Sequence, residues 1–210
     1  DNGVNETISN LTMTAGTLNT DPSAAGGSNT VTVNNTLAFS GGVLRINPTS
    51  TVVANAVQVS GTNTSGFRLG GTLEVGSGGL TLTQSDFAPD SGSGFFNIMQ
   101  FAAGNSNDGV DVGTVQGGTM KLNGNITTVA SATNTNGLRI SVGAGGTNSS
   151  IDLNGGNRTF NVANGAADID LQINPRLTDS VGGGSFTKTG AGTLVLDGGG
   201  AGGNYAGPAT

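Results

Sequence analysis

The chain contains no cysteine, no histidine and no tryptophan, and only one tyrosine among its 210 residues. Without cysteine, disulfides and thiolate metal sites are excluded. That lack also fits secreted bacterial proteins that cross an envelope unfolded. Without histidine, the usual general base near neutral pH is missing, along with the commonest metal ligand. A serine nucleophile therefore lacks its base, and no elbow motif surrounds any serine. Charge is scarce, at 10% of residues, and the net charge is −6. The seven basic residues form no run, so nucleic-acid binding by phosphate neutralisation is not expected. Attraction to an anionic membrane surface is equally unsupported. No stretch is long and apolar enough to span a bilayer, and no signal peptide is visible. With Asp1 and Thr210 as its ends, the chain reads as a mature protein or an excised fragment.

What is present is glycine, 39 residues of it, with much threonine, asparagine and serine. Low hydrophobicity signals disorder when it comes with dense charge and no periodicity. Here charge is sparse and alternation is frequent, which points to an ordered β-protein. No sustained helical periodicity occurs. A solenoid suits the shortage of large apolar residues, because each coil buries only a thin stripe against its neighbours.

One pattern recurs along the chain: a small turn, then Thr or Val, then apolar-x-apolar. It reads Gly41-Gly42-Val43-Leu44-Arg45-Ile46, Gly70-Gly71-Thr72-Leu73-Glu74-Val75 and Gly117-Gly118-Thr119-Met120-Lys121-Leu122. A looser copy is Ala15-Gly16-Thr17-Leu18, and the fullest is Phe186–Leu196, where Leu194 and Leu196 share one face. Such self-similarity predicts one all-β solenoid over residues 1–210, stacked in parallel. Coils of about 20–30 residues give roughly 7–10 of them, and a rod of about 35–50 Å at the usual strand spacing. Residues 30–61 read as five short strands, Thr30–Val33, Thr36–Phe39, Val43–Ile46, Thr51–Ala54 and Ala56–Val59. In Asp168–Ile173, Ile169, Leu171 and Ile173 are expected inward, and Asp168, Asp170 and Gln172 outward. Inward aliphatics stack between coils, Asn and Thr form ladders at turns, and glycine supplies corners. No amphipathic capping helix stands at either end.

Residues 85–109 break the rhythm and hold Phe87, Phe95, Phe96 and Phe101. The segment is expected to be a wider coil, or an excursion whose aromatics pack onto the solenoid. The alternative is an exposed patch for a partner.

Candidate chemistry is thin. Asp168 and Asp170, with Asp152 on a neighbouring coil, could pair for glycoside hydrolysis, against the plainer reading of solvated outward acids. Arg and Lys are dispersed and do not suggest a uronate-binding groove. Asn105–Asp111 offers oxygen ligands at close spacing but not a full calcium loop. The glycine runs near 182–184 and 198–203 lack the Gly-Lys-Ser/Thr of a phosphate loop. Asn-x-Ser/Thr at Asn5, Asn10, Asn34, Asn63, Asn125, Asn148 and Asn157 reads as corner and ladder residues rather than glycosylation signals. No catalytic, cofactor-binding or metal-ligating residue is therefore assigned.

Thr187, Lys188, Gly190, Gly192, Thr193, Leu194 and Leu196 match the pattern hydrophobic-Thr-Lys-x-Gly-x-Gly-Thr-Leu-x-Leu, and Asn204, Tyr205 and Gly207 fit its tail. In this respect 186–210 resembles the autotransporter-associated β-strand repeat, also called the passenger-associated transport repeat. The spacer Gly198–Gly203 is longer than in that family, and Pro208-Ala209-Thr210 breaks the next strand. Ile151–Val162, with Asn157–Phe160, is similar to the coil that often precedes the motif. The rest of the chain agrees in style only. The resemblance implies a right-handed parallel β-helix in a secreted or surface-displayed bacterial protein, with the repeat as a scaffold element in export and folding. The expected function is a non-enzymatic structural or adhesive module that stacks end to end. Its expected partners are itself and host or cell-surface glycans, with no cofactor. The alternatives are a carbohydrate-active β-helix and a tailspike-like trimer.

Overall fold

A computed structural model describes residues 5–20, 28–60, 67–84, 117–142 and 149–197 in full, and the backbone of 95–101. The described chain is all-β, and every strand pairs in parallel. Its strands fall into three rows, and each pass of the chain contributes once to each row.

The first row runs β1 (Glu6–Ile8), β4 (Thr30–Phe39), β6 (Thr51–Val59), β8 (Thr72–Thr83), β10 (Thr119–Leu122), β13 (Ser150–Asp152) and β16 (Arg176–Thr178). In the second row β2 (Leu11–Met13) pairs with the later half of β4. The row continues through the later halves of β6 and β8 to β11 (Ile126–Val129), β14 (Asn157–Asn161) and β17 (Ser185–Thr189). The third row is a separate seven-stranded sheet: β3 (Thr17–Asn19), β5 (Val43–Ile46), β7 (Phe67–Leu69), β9 (Phe95–Phe101), β12 (Gly137–Val142), β15 (Leu171–Ile173) and β18 (Leu194–Leu196). Strand order follows chain order in each row, so every pass lies beside the one before it.

The apolar-x-apolar pattern explains the interior. Val52, Leu73, Met120 and Ile151 are successive register partners in the first row, and all are buried. Leu37, Val57, Leu80 and Ile126 form the matching column in the second. Leu44 meets Phe67 in the third, and Leu138 meets Leu171. Phe67 closes the gap between rows with an edge-on contact to Phe39, ring centroids 5.5 Å apart. Phe160 and Phe186 stack at 5.1 Å. Burying one such Leu or Phe contributes about 1.5–3 kcal/mol, and an inward residue in the middle of the stack has apolar partners both above and below.

Several expectations are refined. Thr30–Val33 and Thr36–Phe39 are one strand, β4, and Thr51–Ala54 and Ala56–Val59 are one strand, β6. The chain turns from the first row to the second inside each, through register shifts at Val33/Thr36 and Ala54/Ala56. Extra residues leave the ladder there and bend the strand without ending it. Residues 95–101 form β9 between β7 and β12 in the third row, with a register shift opposite Arg139/Ile140, and the rest of 85–109 lies outside the described residues. Phe87 lies outside the described residues. Leu196, expected inward, is 39% exposed. Its strand pairs on one side only among the described residues, so the column that would cover it stops there.

Candidate functional site

The acids singled out by sequence fall in the last passes, and they do not converge. Asp168 is exposed on a bend between β14 and β15. Asp170, two residues on, is 3% exposed, contrary to its expected outward position. Its Oδ1 accepts the Gly165 N–H at 2.7 Å and its Oδ2 accepts the Thr193 N–H at 2.8 Å. The alternation expected over Asp168–Ile173 fails because only Leu171–Ile173 is strand. Ahead of it the chain bends, and Asp170 turns in to take two backbone donors that would otherwise be unsatisfied. Ile169 is correspondingly only partly buried.

Asp152 lies in β13, in the first row, and is also 3% exposed. Its Oδ1 accepts the N–H groups of Asn154 and Ser180, both at 2.9 Å, and its Oδ2 accepts the Ser180 hydroxyl at 2.5 Å. It therefore ties its own turn to the turn of the next pass. Both buried acids are fastened to backbone, Asp152 at the turn around Ser180 and Asp170 at the turn around Thr193. The plainer reading, solvated outward acids, holds for Asp168 alone. The three carboxylates do not form one paired site.

The sequence pattern does not single out two further groups of this kind. Asp179 accepts the Gly155 N–H at 2.7 Å through Oδ1 and the Gly184 N–H at 2.6 Å through Oδ2. The Gly184 N–H, then that of Gly155, hold its carboxyl below the ordinary value of 3.8 against a smaller opposing effect of desolvation. The signal for it is Asp followed by Ser-Val-Gly-Gly-Gly, an acidic acceptor before a run of small turn residues. The glycine run at 182–184 is thus part of a carboxylate-held turn. Buried Gln84 donates to the carbonyls of Asn134 and Asn136 and accepts the Ser131 N–H at 2.8 Å, pinning one pass to the next.

The asparagines behave as corners and ladders where they are described. Asn5, Asn10 and Asn125 accept the N–H groups of Thr30, Thr36 and Thr159 in the following pass, and Asn157 accepts the Ser185 hydroxyl. Asn34 is exposed at the β4 corner. Asn47 donates to Asn19, and Asn154 donates to Asn123 at 2.8 Å. Asn63, Asn148, the Asn105–Asp111 segment and residues 198–210 lie outside the described residues.

The stretch Phe186–Leu196 gains a physical account. Gly190 has φ +77°, and a Cβ on it would stand 2.3 Å from the Val162 carbonyl oxygen of the preceding pass. A Cβ on Gly192 would stand 2.4 Å from the Ala163 carbonyl oxygen. Gly192 donates to Val162, and Lys188 Nζ donates to the Gly190 carbonyl at 2.9 Å. The two glycines lie directly on the backbone beneath them, and the lysine fastens the turn. Among the described residues, no group of three or more acidic, His or Cys side chains is gathered as a metal site. No helix there is long and apolar enough to cross a membrane. The chain matches no known family model, no curated protein and no solved structure.

Proposed function

We propose that this chain is a right-handed parallel β-helix acting as a non-enzymatic scaffold or adhesive rod of a secreted or surface-displayed bacterial protein. The observation that carries the reading is the three-row pairing, in which every pass of the chain lies parallel and in register with its predecessor. Handedness follows from the rule that crossovers between parallel strands of one sheet are right-handed. Six spacings between seven strands of the third row make about 30 Å of rod. The inward column is aliphatic and the described acids Asp152, Asp170 and Asp179 are engaged with turn backbone, which suits a structural element. The likeness of 186–196 to the passenger repeat supports the bacterial surface setting.

The two ends carry the self-association part of this reading. Among the described residues β1–β3 and β16–β18 each pair on one side only, and unpaired parallel edges template further strands. Small-angle scattering on the chain should give a cross-section independent of concentration, with length growing in multiples of one rod as concentration rises. A compact particle of equal axes would refute the rod. A strictly monomeric rod at every concentration would remove end-to-end stacking. A panel of neutral and acidic glycans should show binding without turnover, and turnover would return the enzyme reading.

A further inference from the structure

The first and last described passes differ in charge on the inward side of their strands. Glu6 of β1 is the register partner of Val31, and Val31 of Val52. It thus stands first in the column that runs through Leu73, Met120 and Ile151 to Leu177 of β16. Register partners in a parallel ladder share a face, and Ile8, two residues on, packs against the core. Glu6 is therefore an acid on the inward side, and it is exposed there. In the second row, Leu11 opens the column of Leu37, Val57, Leu80 and Ile126. Ile126 pairs with Phe160, and Phe160 with Lys188 of β17. Lys188 lies two residues after inward Phe186, so this column closes on a cation. Its Nζ donates to the Gly190 carbonyl, which bonds the ammonium without neutralising it. Every other position in these two columns is apolar. Neither Glu6 nor Lys188 forms an ion pair among the described residues.

The third row adds an apolar match. Leu196 of β18 pairs with Ile173, Ile173 with Ile140 and Ile140 with Met99. Leu18 of β3 pairs with Leu44, and Leu44 with Phe67. Arg68 pairs with Gln100, which sets Phe67 level with Met99. Leu18 and Leu196 are thus the two ends of one column, and both are incompletely buried.

We infer that a second copy of this chain stacks head to tail, with Glu6 of one copy and Lys188 of the other meeting inside the junction. Extending each column by one pass puts Glu6 over Leu177, Leu11 over Lys188 and Leu18 over Leu196. The inward sides of the first and second rows face one core. The acid and the cation therefore enter that core from adjoining rows, one from each copy. Only this orientation brings unlike charges together. Two heads would gather two acids in one junction, and two tails two cations, and like charges are penalised there. Desolvation offsets much of the attraction, so the pair selects orientation more than it adds affinity. This deepens the end-to-end stacking of the proposed function and rests on it.

The test is sedimentation equilibrium of the full chain over a concentration series. The parent should form chains of rods, less so as salt rises. Glu6→Lys and Lys188→Glu should each weaken association by about tenfold or more, because both ends then carry one sign. An equimolar mixture of the two should regain it, since every junction between unlike variants is again complementary. The double variant Glu6→Lys/Lys188→Glu should regain it too. Glu74→Gln, on the outer side of the middle passes, should leave association unchanged. Unchanged far-UV circular dichroism would show that each variant is folded. If a reversal misfolds, Glu6→Gln and Lys188→Gln carry the test, again with weaker association expected. Reversals that stack as well as the parent, a mixture that stays apart, or tighter stacking in Glu6→Gln would each overturn this inference and leave end-to-end stacking in place. Parent rods that stay single at every concentration in low salt would remove the stacking and this inference together.

Discussion

Lys121 and Glu74 are 47 residues apart in the chain and stand side by side in adjacent strands, Lys121 Nζ 3.4 Å from Glu74 Oε1. The pair sits on the outer side of the first row, above the buried column of Leu73 and Met120. Both side chains are about a third exposed, so solvent screens the attraction. A double-mutant cycle with Glu74→Gln and Lys121→Met should give a coupling of about 0.2–1 kcal/mol, shrinking in high salt. A coupling of zero at low salt would mean the pair adds nothing to stability at this exposed position.

The interior column predicts a gradient of sensitivity. Leu73 has a paired strand on both sides and is fully buried. Leu73→Ala should cost about 2–5 kcal/mol in urea unfolding. Leu194 is partly buried on β18, which has one paired neighbour among the described residues. Leu194→Ala should cost under about 2 kcal/mol, and Leu194→Asp should be better tolerated than Leu73→Asp. Equal costs at the two positions would contradict the stacking account.

Asp168 and Asp170 provide a matched pair of substitutions. Asp170→Ala leaves the N–H groups of Gly165 and Thr193 without their acceptor, and should destabilise by about 1–3 kcal/mol per orphaned group. Asp168→Ala, on an exposed residue, should fall within about 0.5 kcal/mol of the parent chain. Thermal unfolding of the two variants checks this directly.

Asp179 makes stability depend on acid. Its folded pKa is lowered below 3.8 by the N–H groups of Gly184 and Gly155. A depressed pKa means the folded state binds protons less readily than the unfolded one. Its contribution is therefore fully present above the unfolded value of about 3.9 and is lost as pH falls through the lower folded value. The melting temperature of the parent chain should drop below about pH 4 more steeply than that of Asp179→Asn. Parallel curves for the two proteins would remove Asp179 as a source of that dependence.

Two glycines with positive φ separate conformational strain from crowding. Gly182→Ala places a Cβ in open space at φ +87°, so only the left-handed backbone penalises it, by about 1–2 kcal/mol. Gly190→Ala adds a collision with the Val162 carbonyl at 2.3 Å, and its unfolding free energy should fall further than that of Gly182→Ala. Comparable losses would show that the turn at Gly190 can move off the backbone beneath it.

Strand positions were legible because alternation reports which side of a strand is buried. Leu73, Val75, Met120 and Leu122 are inward as their spacing requires. The corner asparagines were legible too, since Asn tolerates turns and offers an acceptor to the next pass. Alternation points Asp170 outward, whereas its burial depends on the Gly165 and Thr193 backbone, five residues before it and 23 after. Asp179 and Gln84 leave no mark in the sequence pattern for the same reason. Their partners are backbone groups, which carry no residue-specific signature.

The amino-acid order alone settled that this is a strand-built chain with a thin aliphatic interior and glycine turns, because local periodicity and turn chemistry act over a few residues. It did not settle which similar-looking strands share a row. Gly70–Val75 and Gly117–Leu122 pair in the first row, while the look-alikes at Thr17–Leu18 and Val43–Leu44 pair in the third. Place within a pass decides that: Val43 follows β4, which has already filled the first and second rows, whereas Thr72 follows β7, which belongs to the third. Chemically equivalent strands therefore fall in different rows, and only the folded stack set Arg45 against Arg68 and Glu74 against Lys121.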